Sequence, residues 1–234
     1  MTVHRPGLPQ DLPPAEELWA RWALLAALGA TTEDEERPPR HRTGRWIDDE
    51  GLHWDDCGCT WWVMSKGGDG RFVLYGEDEA SGVKWHEPAI DVLAGGPDWL
   101  PYEELRDRIE AYEIGCVYWY ENGAWARAPY PDDLDDDGLD CGMSSFIDRG
   151  EVLAELTANL DRTVGGASAD SLLADAEAYR LEPQKLLDRL VRTDCHDDSS
   201  DRDSSDRDPS DGPAIVRALA RAGLTGEYAA TDTP

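Results

Sequence analysis

The 234 residues include 50 acidic and 22 basic side chains, a net charge of −28, and 40% hydrophobic residues. This length is enough to bury a core, and the composition is typical of a folded protein with solvated segments. The negative charge argues against direct nucleic-acid binding, which needs a positive surface, and the absence of an apolar run of about 18 residues argues against a membrane span.

The N-terminal region, residues 1–43, is predicted to hold one helix followed by a linker. Apolar residues recur at helical spacing between Pro14 and Gly29, and proline suits a first turn as glycine suits a helix end. The next stretch, TTEDEERPPRHRTG, is polar and contains a proline pair, which favours a loop.

Residues 44–163 are predicted to form an acidic α+β core domain. Three short segments rich in aromatic and β-branched residues, GRWIDDEGLHW, CTWWVMSK and RFVLYGE, are separated by aspartate and glycine. This pattern is typical of consecutive antiparallel strands. A helix is predicted from Pro101, with Leu105, Ile109 and Tyr112 on one face.

The Asn122-Gly123 pair between two aromatic runs is the strongest local signal, and it predicts a hairpin whose two turn residues have positive φ. The turn sets the register, which pairs Glu121 with Ala124, Tyr120 with Trp125, and Tyr118 with Arg127. Tryptophan, tyrosine and arginine are enriched at binding hot spots. We therefore expect the face that carries Tyr118, Tyr120, Trp125 and Arg127 either to be covered or to bind a partner.

The last third of the chain is predicted to be helical. Residues 164–193 form the C-terminal helices, 194–212 a disordered Asp/Ser linker with the repeat SSDRDSSDRD, and 213–234 a short helix and tail. The predicted fold class is α+β, in which an antiparallel β-sheet, built from a meander and the Asn-Gly hairpin, packs with helices.

The negative charge is concentrated in the predicted core domain, since residues 44–163 hold 28 acidic and 9 basic side chains. Such charge opposes compaction through self-repulsion, but it speeds association with basic proteins. An organism-wide adaptation to high salt is the alternative explanation of the acidity.

The stretch YPDDLDDDGLDCG, residues 130–142, holds six aspartates and permits two functional interpretations. As a docking surface, it would steer a cationic partner with the field of Asp132, Asp133, Asp135, Asp136 and Asp137. As a metal site, Asp133, Asp135 and Asp137 match the first half of a D-x-D-x-D-G calcium loop. Ser144 stands where that loop has its bidentate glutamate, so an exposed acidic loop is the simpler interpretation.

The cysteines and histidines suggest no established site. His53, Cys57, Cys59 and His86 are candidate zinc ligands, but Cys-x-Cys departs from the usual Cys-x₂₋₄-Cys spacing. Five scattered cysteines do not form a disulfide pattern, so we expect reduced thiols and a cytoplasmic location. The 19 arginines against 3 lysines indicate a GC-rich, bacterial genome.

Two functions from different classes follow. The sequence contains no nucleophile elbow, P-loop or dinucleotide-binding motif. The first prediction is a non-enzymatic acidic interaction protein without a cofactor, which binds a basic partner protein in the manner of immunity proteins or antitoxins. The alternative is a Ca²⁺- or Mg²⁺-dependent enzyme, or a metal-regulated module, that uses the Asp133–Gly138 loop.

Overall fold

The computed structural model describes residues 3–38, 41–160, 166–190 and 211–226, and it confirms the α+β class. The sheet has its six strands in chain order: β1 (Gly44–Ile47), β2 (Leu52–Asp55), β3 (Thr60–Gly68), β4 (Arg71–Asp78), β5 (Cys116–Glu121) and β6 (Ala124–Arg127). The α-helices are α1 (Ala15–Leu28), α2 (Thr32–Glu36), α3 (Tyr102–Glu110), α4 (Asp140–Ile147), α5 (Arg149–Asn159), α6 (Gly166–Glu177), α7 (Pro183–Leu187) and α8 (Gly212–Ala222). No helix in the described ranges is long and apolar enough to cross a bilayer.

The chain forms two compact units, and each is discontinuous in sequence. The first unit comprises Met1–Trp19 and Asp48–Asp148, and the second comprises Ala20–Ile47 and Arg149–Pro234. The chain-order segments proposed above are all continuous, because pairing between distant stretches is not visible in local patterns. The predicted Asp/Ser linker lies outside the described residues, except for positions 211 and 212 at the start of α8.

Neighbouring strands from β2 to β6 are antiparallel. The hairpin between β5 and β6 has the predicted register, with Tyr118 opposite Arg127 and Tyr120 opposite Trp125. Asn122 and Gly123 have φ of 52° and 81°, as a two-residue turn of this kind requires.

The strands that lie in the first unit, β2 to β6, carry buried side chains of that unit on both faces. On one face, Val63, Val73 and Trp119 belong to a buried cluster with apolar residues of the segment from Val83 to Leu105. On the other face, aromatic rings follow one another across the strands: Trp19 lies 5.9 Å from Phe72, Phe72 lies 6.1 Å from Tyr120, and Tyr120 lies 5.2 Å from Trp125. The side chains of one strand point alternately to the two faces of the sheet, so aromatic residues contribute to the buried layer on each face.

The second unit is mainly helical and contains ion pairs at and below its surface. The buried Arg21 donates to Glu177 at 2.8 Å, and Arg149 also donates to Glu177. Helix α2 lies in the stretch that is predicted to be a loop, and Arg217 of α8 pairs with its Glu35. A five-residue helix has little intrinsic stability, so such tertiary contacts are needed to explain it.

Candidate acidic-aromatic interaction surface

The aromatic face of the hairpin is covered by the N-terminal residues of the same chain. Tyr118, Tyr120 and Trp125 are all buried. The indole N–H of Trp125 donates to the carbonyl of Pro13 at 2.7 Å. Of the three aromatic residues predicted to bind a partner, Tyr118 and Trp125 therefore donate to the N-terminal segment, and Tyr120 packs against Phe72 and Trp125.

Hydrogen bonds of the Gly7 backbone hold that segment against the sheet. Its N–H donates to Asp137 Oδ1 at 2.8 Å, and its carbonyl accepts from Arg127 Nε at 2.9 Å. The Tyr118 hydroxyl lies 3.0 Å from the same carbonyl and 2.6 Å from Asp137 Oδ2. A Cβ at Gly7 would lie 2.4 Å from Leu139, so only glycine fits here without a shift.

The five aspartates of residues 132–137 have different environments. Asp132, Asp133 and Asp135 are exposed, and Asp136 is half-buried. Asp137 is only 1% exposed. Burial raises the pKa of the Asp137 carboxyl above its ordinary value, while hydrogen bonds from Gly7 and Tyr118 act in the opposite direction.

Two of the candidate calcium ligands, Asp133 and Asp137, contact different residues. Asp133 Oδ1 lies 3.1 Å from His86 Nε2, whereas the Asp137 carboxylate points inward to Gly7. Cys57 and Cys59 are exposed in the turn between β2 and β3. Across the described part of the chain, no three side chains of histidine, cysteine, aspartate or glutamate are grouped as a metal site.

Two aromatic residues that the sequence analysis did not select for binding are exposed on the first unit. Trp85 and Tyr112 have exposed fractions of 71% and 62%. Their rings stack with centroids 6.0 Å apart and an angle of 18° between the ring planes. Large exposed aromatic side chains are characteristic of interaction sites.

The end of α3 places Tyr112 at the surface. Tyr112 has a φ of 60°, and the N–H groups of Tyr112 and Glu113 donate to the carbonyls of Ile109 and Arg108 at 3.0 and 2.9 Å. This is a Schellman motif, which usually has glycine at the position of positive φ. The prediction that Tyr112 shares a helix face with Leu105 and Ile109 is wrong, because the helix ends at Glu110 and the positive φ of Tyr112 breaks its periodicity.

Lys84 joins the two stretches that carry the exposed rings. Its ammonium group donates to the carbonyl of Tyr112 at 2.9 Å and lies 2.5 Å from the carboxylate of the buried Glu77. Since Lys84 directly precedes Trp85, this contact holds the short 3-10 turn Val83–Trp85 beside the end of α3. The stacked pair is therefore held between two backbone stretches that Lys84 joins.

The aspartate-rich loop is attached to the same turn. The N–H of Gly82 donates to the carbonyl of Asp136 at 3.0 Å, and His86 contacts Asp133. The pKa of His86 is raised by the carbonyl of Pro88 and then by Asp133. We use the name acidic-aromatic surface for the exposed residues Trp85, Glu87, Tyr112, Glu113, Asp132, Asp133 and Asp135.

Most of the negative charge belongs to the unit that bears this surface. The first unit holds 28 acidic and 7 basic side chains, whereas the second holds 22 and 15. The first unit thus has a net charge of −21. Comparison with protein-family models, curated proteins and solved structures found no match for this chain.

Proposed function

We propose that this chain is a non-enzymatic acidic interaction protein of the immunity or antitoxin type, which binds a basic partner protein through the acidic-aromatic surface. One observation carries the proposal. The exposed Trp85–Tyr112 stack lies next to a loop with three exposed aspartates, in a unit with a net charge of −21.

The two kinds of residue have complementary roles in binding. Carboxylates create a field that extends over about 10 Å at moderate salt, so they orient and accelerate the approach of a cationic protein. The aromatic rings act only at contact, where burying them provides most of the affinity. A surface that combines both kinds of residue suits fast and tight capture of a basic protein.

The same charge disfavours a second copy of this chain as the partner. Two first units, each with a net charge of −21, would bring like charges together at the interface. A basic partner instead gains attraction at every distance. This difference favours a basic protein over a second copy of the chain as the partner.

The test uses basic proteins encoded by the neighbouring genes as probes. We expect one of them to bind the parent chain and the triple variant Asp132→Asn, Asp133→Asn, Asp135→Asn to associate about three- to tenfold more slowly at low salt. Stopped-flow fluorescence at several salt concentrations gives the rates. These aspartates are exposed, whereas including Asp137 would also disturb its bond to Gly7.

A control variant removes the same charge from the second unit. Glu151→Gln, Glu182→Gln and Asp188→Asn change one residue of α5 and the two residues that flank α7, all of them exposed. We expect this control to associate at close to the parental rate. If no basic neighbour binds, or if both triple variants associate equally slowly, the proposal fails.

A further inference from the structure

We infer that the Trp85–Tyr112 pair is a subsite for a guanidinium group, so that the acidic-aromatic surface selects a partner with an exposed arginine over one with a lysine. The inference rests on the proposed function. The inference specifies which chemical group of the partner the aromatic residues contact. The net charge alone does not specify that group.

The geometry of the pair favours a planar cation. The rings of Trp85 and Tyr112 are within 18° of parallel, so together they present flat π faces at the surface. A guanidinium group is planar, delocalised and weakly hydrated, and it stacks on such faces while its N–H groups remain free to donate in its own plane. An ammonium group is compact and strongly hydrated, so it gains less from the same surface.

The acceptors for those N–H groups are carboxylates that neighbour the rings in sequence or contact the residue after Trp85. Glu113 directly follows Tyr112, Glu87 lies two residues after Trp85, and all four are exposed. Asp133, with a side chain that is 80% exposed, is held near the same turn by His86. Arginine pairs with carboxylates through two parallel hydrogen bonds, which lysine does not form.

The first unit already places several of its arginines, and one lysine, Lys66, over its own aromatic rings. The guanidinium of Arg127 lies 3.8 Å from the ring centroid of Tyr130, and that of Arg71 lies 5.6 Å from the ring centroid of Trp99. The lysine nearest to the exposed pair in sequence, Lys84, directs its ammonium to Glu77 and to a backbone carbonyl. The ring faces of the exposed pair are therefore suited to a cation from another molecule.

The test compares three fluorescein-labelled peptides that differ only at four positions, which hold arginine, lysine or the neutral arginine analogue citrulline. Fluorescence anisotropy gives the dissociation constants at low and moderate salt. We expect the parent chain to bind the arginine peptide about three- to tenfold more tightly than the lysine peptide. The citrulline peptide should bind far more weakly than either.

Two variants remove the rings one at a time. Trp85→Ala and Tyr112→Gly should each reduce the affinity for the arginine peptide to about that for the lysine peptide, while the lysine affinity changes little. Tyr112→Gly should also fold, because glycine is the residue that best accepts the φ of 60° at this position. Circular dichroism verifies the fold of both variants.

Tyr179→Gly is the matched control, because Tyr179 ends α6 in the same way. It has a φ of 54°, and the N–H groups of Tyr179 and Arg180 donate to the carbonyls of Ala176 and Asp175 at 2.9 and 3.0 Å. It belongs to the second unit. We expect this control to keep the parental preference for arginine.

The outcomes separate this inference from the proposed function. Equal affinities of the parent chain for the arginine and lysine peptides, or a preference for arginine that survives in both ring variants, would overturn the guanidinium subsite and leave the acidic interaction protein intact. Failure of both cationic peptides to bind would contradict the proposed function itself. Self-association of the parent chain that Trp85→Ala abolishes, measured by sedimentation velocity, would assign the rings to a second copy and also overturn the subsite.

Discussion

Gly7 is held through both of its backbone polar groups, although its neighbours form no regular structure. The carboxylate of Asp137 accepts from its N–H, and Arg127 donates to its carbonyl. Each contact fixes a residue that lies more than 100 positions away in the chain. At the scale of single residues, these hydrogen bonds explain why the N-terminal segment covers the aromatic face of the hairpin.

Substitution of Gly7 tests this attachment. Gly7→Ala places a Cβ 2.4 Å from Leu139 and 2.7 Å from the Tyr118 hydroxyl, so we expect the free energy of unfolding to fall by about 1–3 kcal/mol. Chemical denaturation measures the change. Gly58→Ala is the control, because a Cβ at Gly58 meets no atom within 4 Å. Equal stability of the two variants would show that Gly7 is not tightly enclosed.

The ionisation of Asp137 should make the stability that this attachment contributes depend on pH. Burial raises the pKa of this carboxyl in the folded state, so the protonated form is favoured by folding. When protonated, the Asp137 carboxyl can donate to the Tyr118 hydroxyl. That hydroxyl then donates its own proton to the carbonyl of Gly7. The resulting stability is fully present below the unfolded pKa of about 3.9 and is lost as pH rises through the raised folded pKa.

Comparison with Asp137→Asn isolates this contribution, because the other carboxylates titrate alike in both proteins. We expect the parent's advantage in unfolding free energy to be largest below the unfolded pKa of about 3.9 and to shrink as the pH rises through the raised folded pKa of Asp137. Urea denaturation across this range measures the difference. An advantage that grows with pH would show that the ionised carboxylate is the form favoured by folding.

At the scale of elements, the turn between β5 and β6 determines the pairing register of the two strands. Asn122 and Gly123 both adopt positive φ, and the register they impose places Tyr118 and Tyr120 on the face toward the N-terminal segment. A shift of one residue would move these side chains to the opposite face. The turn therefore decides which aromatic residues the N-terminal segment meets.

Gly123→Val should lower the free energy of unfolding by about 1–3 kcal/mol, because a β-branched residue is forced to positive φ. No atom lies within 4 Å of a Cβ at Gly123, so backbone strain is the sole expected cause. The adjacent Ala124→Val is the control, since Ala124 is an exposed strand residue where a β-branched side chain is tolerated. Thermal melting of both variants tests the turn, and an unchanged melting temperature for Gly123→Val would contradict the assigned strain.

The aspartate-rich loop allows a test of metal binding. Asp133 contacts His86, and Asp137 is hydrogen-bonded to Gly7 inside the fold, so we expect Ca²⁺ and Mg²⁺, compared at constant ionic strength, to leave the melting temperature of the parent unchanged. Differential scanning calorimetry with and without each ion measures this. A rise with Ca²⁺ that vanishes in Asp133→Asn would instead support the metal-dependent alternative.

At the scale of the whole molecule, salt should have opposite effects on stability and on binding. The first unit has a net charge of −21, so added salt screens repulsion within it and should raise the melting temperature. The same screening should slow association with a cationic partner. Melting curves and association rates at about 20 and 300 mM NaCl test both signs. A melting temperature that falls with salt would mean that attractive ion pairs outweigh the repulsion.

Local sequence patterns determined much of the architecture. Alternating aromatic segments predicted the strands β2 to β4, the Asn-Gly pair predicted the hairpin and its register, and apolar spacing with terminal proline and glycine predicted α1, α3 and α8. These features depend on neighbours within a few residues, so periodicity and turn chemistry are sufficient. The overall negative charge is likewise a property of composition alone.

The candidate surface depended on contacts that no local pattern contains. Trp85 and Tyr112 are 27 positions apart in the printed sequence, and Lys84 and the left-handed turn after α3 bring their rings together. Asp133 and Asp137 look equivalent in an aspartate run, yet one is exposed and the other is buried against Gly7. Burial and exposure are set by distant segments that pack on a residue, and for that physical reason only the tertiary structure decided which aromatic and acidic side chains are exposed.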